Sequence, residues 1–196
     1  MSKRILVIQG HPDGSEPHLC HALAASYANG AADAGHSLRQ INLAEIDFPL
    51  LRSQKEWDTG LVPASLKPAQ DNIAWAEHIV FFFPLWLGDM PAVLKGFLEQ
   101  VARPGFAFTR EEGGNPWGNK ALTGRTARVV VTMGMPAIVY RWYFRAHSVK
   151  SLERNILGFV GIAPVNETLI GLTANMKTED TAKWLGKLKR LGFRGE

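Results

Sequence analysis

A chain of 196 residues, 46% of them hydrophobic, is long enough for one domain with a sizeable core and too apolar for disorder. Its net charge of +4 is mild. The basic residues are scattered, apart from Lys183, Lys187, Lys189 and Arg190 and the pair Arg141 and Arg145, and no nucleic-acid motif accompanies them. Cys20 is the only cysteine, which excludes an internal disulfide and is compatible with the cytoplasm. No run reaches transmembrane length, so no membrane insertion is expected. With a first strand starting this early, no leader is expected.

Residues 4–9 read as a buried strand. Residues 10–17 form a loop with two glycines and two prolines. Leu19, Leu23, Tyr27 and Ala31 then form a helical stripe that Gly35 stops. Cys20 lies in that pattern as small core packing. Residues 38–43 read as a second strand, which completes a right-handed βαβ unit. Residues 44–68 are long, irregular and proline-bearing, and residues 69–77 form a short helix. Residues 79–83, apolar at every position, fit a strand buried on both faces. After the break at residues 84–89, Val93, Leu94, Phe97, Leu98 and Val101 mark a helix. Asp89 is expected to cap it, and Pro91 to sit in its first turn.

Residues 106–124 form a glycine-rich loop with Phe106, Phe108 and Trp117. Residues 127–132 read as a fourth strand and residues 165–170 as a fifth. Between them, residues 138–145 are rich in aromatics. Ser148 is placed as the cap of a helix whose apolar face is Val149, Leu152, Ile156 and Val160. A last helix has Thr178 as cap and Glu179 and Asp180 in its first turn. Trp184, Leu185, Leu188 and Leu191 face inward, and Gly192 ends it. The pattern gives one α/β domain over residues 1–196, a three-layer doubly wound parallel sheet of order 2-1-3-4-5.

In such a sheet ligands bind outside the carboxyl ends of the strands, at the switch point between the first and third. The loop at residues 10–18 lacks both the dinucleotide and the P-loop glycine patterns. It does offer His11, Ser15, His18 and free amides at a helix start, which suits phosphate. It also reads as an ordinary βα turn. Leu85, Trp86 and Leu87 cannot all point inward, so one of them faces a ligand or a partner. Thr132, Met133, Gly134, Met135 and Pro136 supply a hydroxyl and a glycine at the same edge. A planar cofactor with polar ring edges, such as a flavin, suits these loops. Tyr140 and His147 read either as a proton-placing pair or as aromatic packing beside a surface histidine. Arg141 and Arg145 suit either a nucleotide phosphate or acidic side chains.

Several stretches carry a resemblance: His11-Pro12 with its Ser15/His18 turn, Phe83-Pro84-Leu85-Trp86-Leu87-Gly88, and Met90-Pro91-Ala92-Val93-Leu94-Lys95-Gly96-Phe97-Leu98-Glu99-Gln100-Val101. Phe106-Ala107-Phe108 and Thr132-x-Gly134, with Tyr140 eight residues after Thr132, add to it. Over nearly its whole length the chain resembles the flavodoxin-like NAD(P)H:quinone oxidoreductases. These include DT-diaphorases, modulator-of-drug-activity proteins and ancillary flavoproteins of potassium-efflux systems.

The resemblance implies a bound flavin, FMN ahead of FAD, and two-electron transfer in a homodimer with sites at the subunit interface. It implies NAD(P)H and a quinone-like molecule as substrates, taken in ping-pong order. His11, Ser15 and His18, Leu19, Cys20 and His21 would hold the phosphate. Pro84, Leu85, Trp86, Leu87 and Gly88 would face the ring. Thr132, Met133, Gly134, Met135 and Tyr140 would close its other edge, with Tyr140 and His147 as catalytic residues. The family's Ser-Phe-Asn in the first loop is absent. Other readings are a redox-sensing regulator of a membrane transporter, a flavodoxin-type electron carrier, and a flavin-free interaction module.

Overall fold

The computed structural model describes residues 2–109 and 119–196. Five parallel strands form the central sheet: β1 (Arg4–Gln9), β2 (Ser37–Asn42), β3 (His78–Pro84), β4 (Thr126–Thr132) and β5 (Val165–Ile170). Their order is β2-β1-β3-β4-β5, the order expected from the alternation of strands and helices. Every residue of β3 is buried, as its unbroken apolar run requires of a central strand. The register pairs Gln9 with Phe82, Pro84 with Thr132, and Thr132 with Ile170. The carboxyl ends of β1, β3, β4 and β5 therefore share one rim.

Helices cover both sheet faces. Alternate strand residues separate into two cores, as the pleat dictates. Ile5, Val7, Val80, Phe82 and Val130 pack under α1 (Leu19–Asp33) and the C-terminal helix Thr178–Arg194. Leu6, Ile8, Phe81, Phe83, Val129 and Val131 pack on the other face, against α3 (Lys67–Trp75), α4 (Ala92–Val101) and the helical stretch from His147. A Cβ at Gly30 would lie 1.9 Å from the Lys189 carbonyl oxygen, and one at Gly192 would lie 2.0 Å from that of Tyr27. These two glycines let the first and last helices touch backbone to backbone. Gly192 thus sits inside its helix rather than ending it, and Gly195, at φ +63°, closes that helix.

The caps differ from expectation by a residue or more, because capping depends on backbone dihedrals that composition does not fix. Pro91 is the N-cap of α4, and the Asp89 carboxylate accepts the Met90 amide instead of capping the helix. Lys177, not Thr178, flanks the last helix. The helix α6 (His147–Ser151) begins after a left-handed Ala146, and Ser148 lies within it. It continues as a π-helix over Leu152–Leu157 and a short turn, α7 (Gly158–Val160). α5 (Ala137–Trp142) precedes it.

The segment 44–68 holds a helix that hydrophobic spacing does not reveal, α2 (Gln54–Thr59), which buries no residue and is capped by Ser53. Buried Arg103 donates to the Glu56 carbonyl at 2.7 Å, and Gln100 donates to the Pro49 carbonyl at 2.6 Å. These bonds fasten the segment to α4. Within 106–124, Phe108–Thr109 pairs antiparallel with Asn119–Lys120, and Trp117 lies outside the described residues.

Candidate active site

The loop after β1 is folded by its own polar groups. The buried Gln9 amide oxygen accepts the His11 N–H at 3.0 Å, and its nitrogen donates to the Cys20 carbonyl at 3.2 Å. That ties the loop to the first turn of α1. The Asp13 carboxylate accepts the Ser15 amide at 2.8 Å, the Ser15 hydroxyl at 2.6 Å and His18 Nε2 at 2.8 Å. These bonds hold its pKa well below the usual carboxylate range, Ser15 contributing most. The Asp13 amide donates to His11 Nδ1 at 3.1 Å, and the His18 amide to His21 Nδ1 at 3.3 Å.

Three imidazoles gather as a result. His11 and His18 stack with centroids 3.9 Å apart, and His21 lies 5.1 and 5.5 Å from them. Burial, then the charge of His18, lowers the pKa of His11 and of His21. Leu19 and Cys20 open α1, and their amides have no intrahelical acceptor. A hollow of about 480 Å³ adjoins this turn, walled by Gly14, Ser15, His21, Ala24 and Asn42 among others.

The His11 ring also meets the Trp86 indole edge-on at 5.9 Å, which joins the first loop to the loop after β3. There Trp86 and Asp89 exchange backbone bonds of 2.9 and 3.0 Å around a tight turn. Both central residues are left-handed, Leu87 at φ +49° and Gly88 at φ +82°. A non-glycine residue in that region costs about 1 kcal/mol, yet Leu87 is fully exposed and Trp86 half-exposed. Pro84 is buried.

The Leu85 amide donates to the Thr132 carbonyl at 2.8 Å, which fixes this loop to the one after β4. Thr132 and Met133 are buried, and the Met133 carbonyl accepts the Thr173 amide and hydroxyl, each at 3.2 Å. Gly134 is open: a Cβ there would meet nothing within 4 Å. Met135 is partly buried.

Some expected contacts are not available. Tyr140 is wholly buried, with its hydroxyl 2.5 Å from Ser148 Oγ and accepting the Val149 amide at 3.4 Å, so it faces core rather than ligand. The Thr132 and Met133 side chains are likewise turned inward. The Cys20 thiol bonds Gln9 at 3.3 Å, and burial pushes its pKa up to about 12. Only the backbone of Cys20 reaches the helix end. The Ser15 hydroxyl proton is held by Asp13.

His147 does reach the rim, its Cε1 3.9 Å from the Cβ position of Gly88. Nδ1 lies 3.1 Å from the Phe144 carbonyl, which places a proton on that nitrogen and leaves Nε2 outward. Left-handed Arg145 and Ala146, at φ 54° and 47°, aim it there. Leu87, Arg145, Ala146 and Leu172 are the non-glycine residues with positive φ among those described, and all four lie on this rim. Such strain persists where surrounding structure enforces it, commonly at functional sites. Trp142 and Tyr143, at 75% and 80% exposure, are further large apolar side chains left open to solvent, as are Leu87 and Leu172. Arg141 pairs with Glu167 at 2.8 Å, whereas Arg145 makes no ion pair among the described residues.

Asp13 and Gln9 organise the site with no sequence signal for that role, and Ser148, expected as a helix cap, instead holds the Tyr140 hydroxyl. Pro12-Asp13-Gly14 reads in the sequence only as a turn. Nothing in spacing shows that the Asp13 carboxylate closes on Ser15 and His18.

A family model described as a flavodoxin-like fold matches residues 3–191. The chain belongs to this flavodoxin-like family. It is 26% identical over 188 residues to an FMN-dependent NADH:quinone oxidoreductase of Nitratidesulfovibrio vulgaris, covering 85% of each chain. It is 26% identical over 155 residues to a ribosyldihydronicotinamide dehydrogenase-like protein of Penicillium crustosum. That match takes in 67% of this chain and 57% of the longer relative. Its fold superposes on an NAD(P)H:quinone oxidoreductase from Methanothermobacter marburgensis with a TM-score of 0.83, at 23% identity and over the full length of both. Among the described residues, no helix of this flavodoxin-like chain is long and apolar enough to cross a membrane.

Proposed function

We propose that this chain is a flavin-dependent oxidoreductase passing two electrons from NADH or NADPH, through bound FMN, to a quinone or similar flat acceptor. The observation that carries the reading is the junction of three rim loops, His11 against Trp86 and Leu85 bonded to Thr132. A phosphate-suited helix start thus lies beside an exposed apolar turn. The residues fit FMN: imidazoles and free amides converge at one end, and Gly134 leaves open space at the other. When bound, FMN supplies the hydride chemistry.

The chain supplies the rest. His11, His18, His21 and the first amides of α1 hold the phosphate. Trp86, Leu87 and Gly88 would hold one side of the ring, and the open backbone at Gly134 would leave room for its other edge. His147 holds a proton at Nδ1 and offers Nε2 to the reacting molecules. Tyr140 bonds Ser148, the residue after His147, and so steadies the start of that helix. Donor and acceptor use the same exposed side in turn, which makes the kinetics ping-pong.

A second copy of the chain covers Trp142, Tyr143 and Leu172, so the working form is a homodimer, and its place is the cytoplasm. The relatives named for NADH or NAD(P)H and quinone, and for FMN, support the choice of substrates and cofactor. The test is to load the purified chain with FMN and add NADH or NADPH without air. Bleaching of the flavin band, and parallel initial-rate lines with a quinone, are expected. A loaded protein that bleaches with neither nucleotide would overturn the proposal.

A further inference from the structure

The cradle at the start of α1 is built around three imidazoles. His11, His18 and His21 lie within 5.5 Å of one another, ring centre to ring centre. One nitrogen of each is engaged: Nδ1 of His11 and of His21 by backbone amides, and Nε2 of His18 by Asp13. The His21 ring is also bonded by the Glu16 backbone. With nothing between them, the rings resist carrying charge together. Burial and the neighbouring His18 lower the pKa of both His11 and His21.

The groups that face the rings are few. Asp13 and the backbone of Glu16 come from the loop itself. Gln9 from β1 is neutral, the Cys20 thiol from α1 stays protonated, and the loop after β3 contributes the Trp86 indole. The Asp13 carboxylate is the negative charge beside the rings, and it is already shared with Ser15 and His18.

We propose that the flavin phosphate enters this cradle together with a proton, so that flavin binding takes up protons and weakens as pH rises. The inference rests on the function proposed above. A phosphate among the rings replaces mutual repulsion by attraction, which raises imidazole pKa values in the complex. Linkage fixes the sign. Affinity is greatest below the pKa of the free rings and falls between the free and bound values, about tenfold per pH unit for each proton taken up. An ordinary imidazole titrates at about 6.5, and His11 and His21 lie below that in the free chain, so the fall begins on the acid side of 6.5 and runs upward to the pKa of the complex. Protonation of the phosphate itself, with a second pKa of about 6, acts oppositely and limits the gain in acid.

The test is calorimetric titration of the full chain with FMN at about pH 6.5, 7.5 and 8.5, in pairs of buffers that differ in ionisation heat. Riboflavin, which lacks the phosphate, is the control probe. FMN is expected to weaken about tenfold between successive pH values where one proton is taken up, while riboflavin binding stays flat. The double variant His11→Gln with His18→Asn should bind FMN more weakly with a flattened pH profile. FMN affinity independent of pH, without proton uptake, would overturn this inference and leave the proposed function standing. Absence of FMN binding at every pH would overturn both.

Discussion

The His11 imidazole meets the Trp86 indole edge-on, with ring centres 5.9 Å apart. A loop suited to phosphate and a loop suited to a flat ring are thereby one continuous surface, although 75 positions separate the two residues in the sequence (86 − 11). The geometry follows from the sheet order, which sets β1 beside β3.

Trp86→Ala should weaken FMN binding about tenfold, by removing an aromatic contact of about 0.5–1.5 kcal/mol and the apolar area beneath the ring. Trp86→Phe should recover most of it. Because Trp86 is half-exposed, neither change should lower thermal stability by more than a degree or two, roughly. Flavin fluorescence titration and a melting curve check both statements.

His147→Ala should lower kcat for quinone reduction roughly 10²-fold, the lower end of general acid–base effects. FMN affinity should be unchanged. Steady-state rates across pH, with a parallel flavin titration, separate lost proton placement from lost cofactor.

Tyr140→Phe removes a buried hydroxyl that bonds Ser148. It should cost about 1 kcal/mol of stability and change kcat less than threefold, roughly, since the hydroxyl acts only through packing. Denaturant unfolding beside the rate assay decides this. A loss of activity as large as that of His147→Ala would place the hydroxyl at the reacting atoms.

Gly192→Ala should destabilise the fold by about 3 kcal/mol, because its methyl would sit 2.0 Å from the Tyr27 carbonyl oxygen. Chemical denaturation would show the loss in the absence of any cofactor.

His78 gives acid sensitivity of known sign. Burial lowers its pKa to about 4, against 6.5 in the unfolded chain. The neutral ring is kept in the fold while the unfolded chain protonates. Its share of stability is therefore fully present above pH 6.5 and is lost as pH falls toward 4. The loss is about 3 kcal/mol in total. His78→Asn should flatten this part of the profile, read from unfolding midpoints at neutral pH and near pH 5.

Much of this architecture is legible in the amino-acid order. Residues 79–83 fit a central strand, since the run is short, β-prone and apolar at every position, and all of them are buried there. The break at Pro84 and the helix after Pro91 follow from the same stretch. What escapes is set by tertiary contact. Gly192 looks like a helix stop until α1 is laid across it. Tyr140 looks like a ligand contact until Ser148 takes its hydroxyl. α2 is capped by Ser53 and packs only Trp57 against the core, so hydrophobic spacing carries almost no trace of it. At the rim, His11, His18 and Trp86 were readable as candidates, whereas Asp13 was not. Its role depends on one carboxylate reaching Ser15 and His18 at once.

The central claim is that three loops on one rim hold a single FMN. Stoichiometric titration of the purified chain with FMN, followed by anaerobic addition of NADH, tests it most directly. One flavin bound per chain, with quenched tryptophan fluorescence that Trp86→Phe largely abolishes and a flavin band that bleaches with the nucleotide, is the predicted result. FMN that remains free in solution, or that binds Trp86→Ala as tightly as the unaltered chain, would contradict it.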